Sequence, residues 1–375
     1  MNSLEERLLE KLDERKNSNA FRKLYGQSLI IDFCSNDYLG LAKSPEVHQK
    51  ISQLCISEFP LGSTGSRLIS GDSSEYQYLE AFLSDFHRGE ASLMFNSGYD
   101  ANVGFFSTIP QRGDIILYDE LCHASMRDGI RLSLARGYPF AHNDSSALRL
   151  KLEQFSGNIF VAIESIYSMD GNRAAIEKFV ALCEEFGAHL IVDEAHSTGI
   201  YGKYGEGLAV SLGLESKIFA RLHTFGKAIG AHGAIWVGSN LLKDYLVNYC
   251  RSFIYTTALP EYSIAHIKSA YIFLLDNHHK IDLLHQKIQF FKELVEKNEI
   301  IGFIPSDSPI QSCIVPGNDN VKKVASYLQE NGFDVRPILH PTVANNEERI
   351  RICIHEYNTN DEISQLLKTL KRGLA

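Results

Sequence analysis

Short apolar runs alternate with longer amphipathic segments through the middle of the chain. The segment from Ala174 to Phe186, for example, has its apolar residues at helical spacing. Apolar runs of strand length lie at Ala91–Phe95, Asp114–Tyr118, Ile159–Ile163, His189–Val192 and Ala234–Val237. This alternation predicts an α/β fold with a largely parallel sheet covered by helices on both faces. In such a sheet, functional side chains gather at the carboxyl ends of the strands.

The two ends of the chain have different patterns. An amphipathic N-terminal arm is predicted from four leucines on one side of a helix, at Leu4, Leu8, Leu9 and Leu12. Beyond Pro260 a long helical region continues to about Lys297. The order that follows is strand (311–315), helix (321–331) and strand (349–354), which predicts a small α+β domain.

These patterns divide the chain into three parts. We predict an N-terminal segment at 1–38, a large domain at 39–270 and a small C-terminal domain at 271–375. A single large domain built on the alternating region would hold the functional site.

Composition narrows the class of protein. The 375 residues carry a net charge of -9, which argues against a general nucleic-acid binder because neutralising phosphates requires a basic face. Seven dispersed cysteines without a Cys-x-x-Cys pair are typical of a reducing compartment, so a cytoplasmic protein is expected. No run reaches the ~18 apolar residues of a membrane span.

The strongest chemical signal is Lys227, which lies among small residues in Thr224–Gly233. An amine that reacts with an aldehyde cofactor needs open space around its nitrogen. Asp193, at the end of an apolar run, would hold a pyridine nitrogen protonated. Together they indicate pyridoxal phosphate, although a lone lysine is more often a solvated surface residue.

The tetrad Asp193–His196 reads Asp-Glu-Ala-His, which is also a helicase signature. A helicase would need an upstream Gly-x-x-x-x-Gly-Lys-[Ser/Thr] loop, and none is present, because Ala228 follows the only Gly-Lys pair with a threonine nearby. We therefore favour the cofactor interpretation, in which His196 reaches the same pocket as Asp193.

Two further segments are candidates for cofactor contacts. Asn96–Asn102 follows a strand and begins a helix, and backbone N–H groups at such a position bind phosphate well. It could equally be an ordinary strand-to-helix turn. His123 follows a predicted strand and could stack on a flat ring, although a lone histidine is more often structural.

These residues resemble the α-oxoamine synthases, a group of fold-type-I pyridoxal phosphate enzymes. The similarity covers nearly the whole chain. It includes Ser35–Leu41, Gly65–Gly71, Ser97–Asn102, His123–Ser125, Ser168–Gly171, Asp193–Gly199 and Thr224–Lys227. Each motif is weak alone, but seven in the same order are specific.

The resemblance implies roles for the cofactor site. Lys227 resembles the lysine that bonds the cofactor aldehyde and moves protons at the substrate α-carbon, and Asp193 resembles the partner of the pyridine nitrogen. His123 resembles the histidine stacked on the ring. Contacts to the ring hydroxyl are implied for His196 and Ser168, and contacts to the phosphate for Gly98, Tyr99, Thr224 and, across a homodimer interface, Thr257.

The resemblance also implies substrate contacts. Arg351 matches the arginine that pairs with the amino-acid carboxylate, and Asn36 resembles a further carboxylate contact. Arg22 and Arg336 match positions near the acyl substrate. Each of the three arginines could instead be an ordinary surface cation.

The implied reaction joins an amino acid to an acyl thioester with loss of carbon dioxide. Ser308–Ser312 resembles the members that act in biotin biosynthesis, which predicts L-alanine and a pimeloyl group carried by coenzyme A or acyl carrier protein. The alternatives are a 2-amino-3-ketobutyrate coenzyme A ligase, a serine palmitoyltransferase or a 5-aminolevulinate synthase. A non-catalytic partner subunit is disfavoured because it would be expected to lack Lys227.

Overall fold

The computed structural model describes residues 3–24, 26, 31–54, 60 and 62–374. The chain forms two compact units. The larger unit comprises 36–168 and 173–284, and the smaller comprises 1–35, 169–172 and 285–375. The units are groups of residues in mutual contact, and the three-part domain division made from the sequence stays a prediction.

The described residues form twelve strands and fourteen α-helices. The strands are β1 (Ile31–Asp32), β2 (Ala91–Phe95), β3 (Ile115–Asp119), β4 (Arg136–Phe140), β5 (Ile159–Glu164), β6 (His189–Asp193), β7 (Ala220–Thr224), β8 (Ala234–Gly238), β9 (Ile310–Ile314), β10 (Phe333–Asp334), β11 (Arg336–Ile338) and β12 (Arg349–Cys353). The helices are α1 (Leu4–Asn17), α2 (Pro45–Leu54), α3 (Ser74–Phe86), α4 (Gly98–Thr108), α5 (Ala124–Leu132), α6 (Ser145–Leu152), α7 (Ile176–Phe186), α8 (Leu208–Ser211), α9 (Asn240–Tyr249), α10 (Arg251–Ile254), α11 (Glu261–Asp276), α12 (His279–Lys297), α13 (Asn318–Glu330) and α14 (Asn360–Leu374).

A seven-stranded sheet forms the centre of the larger unit. Its strand order is β2-β8-β7-β6-β5-β3-β4, and every neighbouring pair is parallel except the two that involve β8. The α/β fold class predicted from the sequence is therefore confirmed. Because β5, β6 and β7 are adjacent and parallel, their carboxyl ends meet at one edge.

The five predicted strands are present, within a residue or two, but the pattern missed β4 and β7. Strand β4 is an edge strand and is mostly exposed, so it has no apolar run. Strand β7 is buried along its whole length, yet it carries Arg221 and His223, which interrupt its apolar residues. A search for apolar runs cannot find a buried strand with two polar side chains.

An aromatic stack joins α4 to the sheet. The rings of Phe105 on α4 and Trp236 on β8 lie 4.3 Å apart at an angle of 29°, and both are fully buried. The indole N–H of Trp236 also donates a 2.9 Å hydrogen bond to the carbonyl of Ala101. These contacts fix the position of α4, whose first residue is Gly98.

A buried polar cluster supports β7 from the other side. The imidazole rings of His87 and His223 stack with their centroids 3.7 Å apart. His87 donates from Nδ1 to the Glu206 carbonyl at 2.7 Å, and its Nε2 accepts from the Tyr271 hydroxyl at 2.9 Å. Burial lowers the pKa of His87 to about 3, with Arg221 acting in the same direction. The ring is therefore neutral, and this protonation state satisfies both of its nitrogens.

The smaller unit contains the three-stranded antiparallel sheet β11-β12-β9, against which α13 packs. Strands β1 and β10 pair in parallel beside it. The predicted strand–helix–strand order after α12 is present, with β10 and β11 as additions. The N-terminal α1 has none of its residues buried. No helix among the described residues is long and apolar enough to cross a membrane.

Replacing Phe105 with alanine should destabilise the larger unit by about 3–5 kcal/mol, because the substitution removes a fully buried ring and leaves a cavity. Unfolding in denaturant can be followed by fluorescence, since Trp236 is the only tryptophan. The matched control is Leu150→Ala, at a side chain that is 61% exposed. The control should change the free energy of unfolding by less than about 0.5 kcal/mol, and an equal loss in both variants would contradict the packing assigned to Phe105.

The free energy of unfolding should fall as the pH drops below about 6.5. In the unfolded chain His87 binds a proton at about this pH, whereas in the folded protein its pKa is about 3. One such histidine contributes a slope of about 1.4 kcal/mol per pH unit in this window. His87→Asn should flatten the slope, whereas His48→Asn, at an exposed position, should leave it unchanged. The test is a set of denaturation curves from pH 4 to 7, and an unchanged slope in His87→Asn would refute the assignment.

Candidate active site

Three adjacent strands of the larger unit end in polar side chains at one edge of the sheet. These are Glu164 on β5, Asp193 on β6 and Thr224 on β7, and all three are buried. They open onto a cavity of about 220 Å³. Its lining consists of Asn36, Ser97, Gly98, Tyr99, Asn102, His123, Ser125, Glu164, Asp193, Ala195, His196, Thr224, Gly226, Lys227, His232 and Gly233. The cavity therefore brings together eight of the residues predicted from the sequence.

The Asp193 carboxylate is held by two N–H donors. The side-chain amide of Asn102 donates to Oδ2 at 2.9 Å, and the backbone N–H of Ala195 donates to Oδ1 at 2.9 Å. Asn102 is itself anchored, because its amide also donates to the Ser125 hydroxyl at 3.0 Å. These donors fix the direction of the carboxylate. They also replace water at a residue that is only 5% exposed.

The neighbouring Glu194 points away from the cavity. Its carboxyl accepts hydrogen bonds from the hydroxyl of Ser197 at 2.6 Å and from the backbone N–H groups of Leu208 and Ala209 at the start of α8. Burial raises the pKa of this carboxyl. Glu194 therefore connects the loop after β6 to the start of α8. Asp193 lines the cavity, so the two acids of the tetrad have separate roles.

His123 caps the N-terminus of α5 with its ring. Nδ1 accepts from the backbone N–H of Ser125 at 3.2 Å and lies 2.7 Å from the Ser125 hydroxyl. Burial lowers the pKa of His123, and the positive charges of Lys227 and Arg127 act in the same direction. A neutral ring with a fixed orientation presents an uncharged face to the cavity.

Lys227 is half-buried in the loop between β7 and β8. The loop is closed by hydrogen bonds from the Gly230 N–H to the Lys227 carbonyl and from the Ala231 N–H to the Phe225 carbonyl, both at 2.8 Å. Gly230 has a φ of 66°, and a Cβ there would lie 2.2 Å from the backbone nitrogen of Ala42. The loop can close in this way only with glycine at 230.

One end of the cavity is suited to an anion. Helix α4 begins at Gly98, and Ser97 caps it by accepting the Asp100 N–H at 3.0 Å. A Cβ at Gly98 would lie 2.6 Å from Cγ2 of Thr224, so glycine gives close access to the helix N-terminus. Among the described residues, the buried hydroxyl of Thr224 has no hydrogen-bond partner. A phosphate group would supply one.

His196 lies at the edge of the cavity beside Asn36. Its Nδ1 is 2.8 Å from the hydroxyl of Tyr38, and that hydroxyl donates to Oδ1 of Asn36 at 3.2 Å. These contacts hold the His196 ring at the edge of the cavity.

Tyr99 lines the cavity but is 48% exposed, and its hydroxyl donates to the carboxylate of Asp128 at 2.5 Å. Ser168 and Thr257 do not line the cavity. Thr257 is exposed, and its carbonyl accepts from the Asn96 side chain at 2.8 Å. The roles of Ser168 and Thr257 stay predictions.

The three predicted arginines belong to the smaller unit. Arg336 and Arg351 lie opposite each other on β11 and β12, so their side chains share one face of that sheet. Arg336 pairs with Asp334 at 2.9 Å, and Arg351 donates to the Cys353 sulfur at 2.9 Å. Arg22 and Arg336 both line a cavity of about 660 Å³ within this unit.

Sequence reasoning missed four residues of the Asp193 cavity as functional candidates. Asn102 and Ser125 lie within motifs that we quoted but were given no role, Gly233 closes the Lys227 loop, and Glu164 ends an apolar run. Glu164 could not be singled out from the sequence, because its place opposite Asp193 comes from the pairing of β5 with β6.

The family model described as aminotransferase class I and II matches residues 28–370. An 8-amino-7-oxononanoate synthase from Emericella nidulans is 42% identical over 404 residues, which cover 99% of this chain and 96% of that protein. The chain belongs to the aminotransferase class I and II family, among the 8-amino-7-oxononanoate synthases.

Solved structures show the fold of the family. The crystal structure of 8-amino-7-oxononanoate synthase from Francisella tularensis matches with a TM-score of 0.80 and 28% identity, over 92% of this chain and 98% of that one. Serine palmitoyltransferase from Sphingomonas wittichii has the same fold, with a TM-score of 0.91 and 24% identity over 99% of this chain and 98% of that one.

The substitution Gly230→Ala should destabilise the protein clearly more than Gly187→Ala. Both glycines have left-handed φ angles, 66° and 65°, but the space around Gly187 is open. The control should lose about 1–2 kcal/mol from backbone strain alone, and Gly230→Ala should lose more because Ala42 must also move. Denaturant unfolding measures both, and equal losses would show that the contact with Ala42 is unimportant.

Proposed function

We propose that the protein is a pyridoxal phosphate enzyme that condenses L-alanine with a pimeloyl thioester. The products are 8-amino-7-oxononanoate, carbon dioxide and free thiol, as required for biotin biosynthesis. The single observation that carries the proposal is the cavity that holds Lys227 and Asp193 together with the N-terminus of α4. Membership of the 8-amino-7-oxononanoate synthases supports it.

The residues present fit the cofactor. The N-terminus of α4 and the partnerless hydroxyl of Thr224 would hold its phosphate, and the oriented carboxylate of Asp193 would hold its ring nitrogen. The neutral ring of His123 would lie against the cofactor ring, and the ring of His196, which lines the same cavity, would contact the ring hydroxyl. When bound, pyridoxal phosphate supplies an electron sink for the substrate α-carbon.

Lys227 would perform the proton transfer. With the cofactor bound, its amine would hold the aldehyde group and would move the proton at the substrate α-carbon. Gly226 and Ala228 on either side leave space around the amine. The backbone hydrogen bonds that close the loop at Gly230 define the position from which the Lys227 side chain extends.

The arginines of the smaller unit would bind the acidic groups of the substrates. A guanidinium pairs with a carboxylate through two parallel hydrogen bonds, so Arg351 would fix the amino-acid carboxylate. We assign Arg22 and Arg336 to the acyl substrate, because both line the larger cavity of that unit. Thr342 lies beside them and accepts a 3.1 Å hydrogen bond from Arg22.

We further propose a homodimer in which Thr257 of one subunit contacts the cofactor phosphate of the other, and in which Ser168 contacts the ring hydroxyl. The support is the exposure of Thr257, which leaves it accessible to a partner. The acyl carrier is coenzyme A or an acyl carrier protein.

Purified protein saturated with pyridoxal phosphate should absorb in the near-visible, and borohydride should remove that band and fix the cofactor on Lys227. Lys227→Ala should lose the band and lower the condensation rate by a factor of about 10³ or more. Lys217→Ala is the matched control, since Lys217 pairs with Glu184 at the surface. Peptide mass spectrometry locates the adduct, and an adduct elsewhere would sink the proposal.

A substrate panel tests the choice of substrates. Alanine, glycine and serine are each offered with pimeloyl, acetyl, succinyl and palmitoyl thioesters while thiol release is measured. The expected result is a clear preference for alanine with the pimeloyl group. A preference for glycine with the acetyl group, or for serine with the palmitoyl group, would overturn the assignment and leave the cofactor chemistry intact.

A further inference from the structure

Glu164 has no role in the chemistry described above, yet it lines the same cavity. It ends β5 directly opposite Asp193 in the parallel register of β5 and β6. Neighbouring strands lie about 4.8 Å apart, and paired residues face the same side of the sheet. Two acids that are only 3% and 5% exposed are therefore side by side at the end of the sheet.

The two carboxyl groups have different partners. Asp193 receives one N–H donor at each oxygen, from Asn102 and Ala195. At Glu164 the backbone N–H of His123 acts to lower the pKa, but Oε1 is buried and has no hydrogen-bond partner among the described residues. Donors to both oxygens favour an ionised carboxylate, whereas a buried oxygen without a donor favours a protonated acid.

Charged and titratable groups face Glu164 from every neighbouring element. Asp193 on β6 and Asp119 on β3 disfavour a second negative charge, while Lys227 in the β7–β8 loop and the His123 N–H favour it. Cys122 and Tyr167 also lie close to Glu164, and both are neutral because burial raises the pKa of each. Burial first, and then Asp193, raise the pKa of Glu164 well above its ordinary value.

We propose that Glu164 is a protonated, uncharged acid beside Asp193. The carboxylate of Asp193 then carries the only negative charge of this pair, and it alone faces the cofactor ring nitrogen. Two adjacent buried carboxylates would repel each other, and one of them must take up a proton. The donors present place the charge on Asp193 and the proton on Glu164. The proposal rests on the cofactor assignment made above.

Glu164 has a second contact with the site through the backbone of His123. The His123 N–H lowers the pKa of Glu164, which puts this acid next to the residue whose ring lines the cavity. Glu164 would thus influence both the charge beside the nitrogen of the cofactor ring and the environment of His123, whose imidazole would lie against the cofactor. Glu164 is a positioning residue, because Asp193 and His123 make the contacts.

The decisive measurement uses the cofactor-free protein and infrared spectroscopy of the protonated-acid carbonyl band. At pH 7 an ordinary glutamate, with a pKa of about 4.3, is ionised. Wild type should show an acid band at this pH that disappears in Glu164→Gln and persists in Glu153→Gln, at an exposed position. If the difference between wild type and Glu164→Gln contains no acid band at pH 7, the proposal is wrong.

Asp193→Asn supplies a test that does not depend on the folding of Glu164→Gln. Without the adjacent negative charge, the acid band of Glu164 should titrate at lower pH than in wild type. A band that titrates at the same or higher pH would overturn the proposal. Both infrared measurements are made without cofactor, so their outcome does not depend on the Lys227 adduct. The proposal for Glu164 and the proposed function can therefore fail separately.

Cofactor affinity gives a third readout. Glu164→Gln keeps a neutral side chain of the same shape, so its Kd for pyridoxal phosphate should stay within about threefold of wild type. Glu164→Ala removes the acceptor for the His123 N–H and leaves a cavity, so its Kd should rise about tenfold or more. A loss in Glu164→Gln as large as in Glu164→Ala would mean that Glu164 acts as a carboxylate, which refutes the proposal.

Discussion

The site depends on one negative charge kept at the end of a buried strand. Taking a carboxylate out of water is costly unless hydrogen bonds and a nearby cation replace the water. At Asp193 the hydrogen bonds come from the side chain of Asn102 on α4 and from the N–H of Ala195, and Lys227 lines the same cavity. Because Asn102 lies on α4, the packing of that helix on β8 and the orientation of the carboxylate are parts of one arrangement.

Two neutral histidines, His87 and His223, stack on the opposite side of β7. Burial lowers the pKa of both rings, so both stay uncharged in the interior. Arg221 on the same strand donates to the His87 carbonyl at 2.7 Å. The strand that leads to Lys227 therefore has on one side a buried polar layer whose histidines stay neutral.

The amino-acid sequence predicts much of this arrangement, and the failures have physical causes. Parallel strands with apolar runs predicted the sheet, and Lys227 and Asp193 could be singled out because each follows or ends such a run. Strand β7 was missed because Arg221 and His223 are buried through a polar network, which depends on residues far apart in the chain. Asn102 and Glu164 were missed as participants for the same reason, since their roles come from neighbours on other strands and helices. The contribution of a second subunit at Thr257 cannot be derived from one chain.

The contact between Gly230 and Ala42 joins the reactive lysine to a segment near the beginning of the chain. The backbone around Ala42 occupies the space that a side chain at 230 would need. The path of the loop that carries Lys227 therefore depends on a backbone segment far away in the sequence. A fragment that began after Ala42 would keep the whole seven-stranded sheet and the lysine, but it would lack the backbone against which the turn at Gly230 packs.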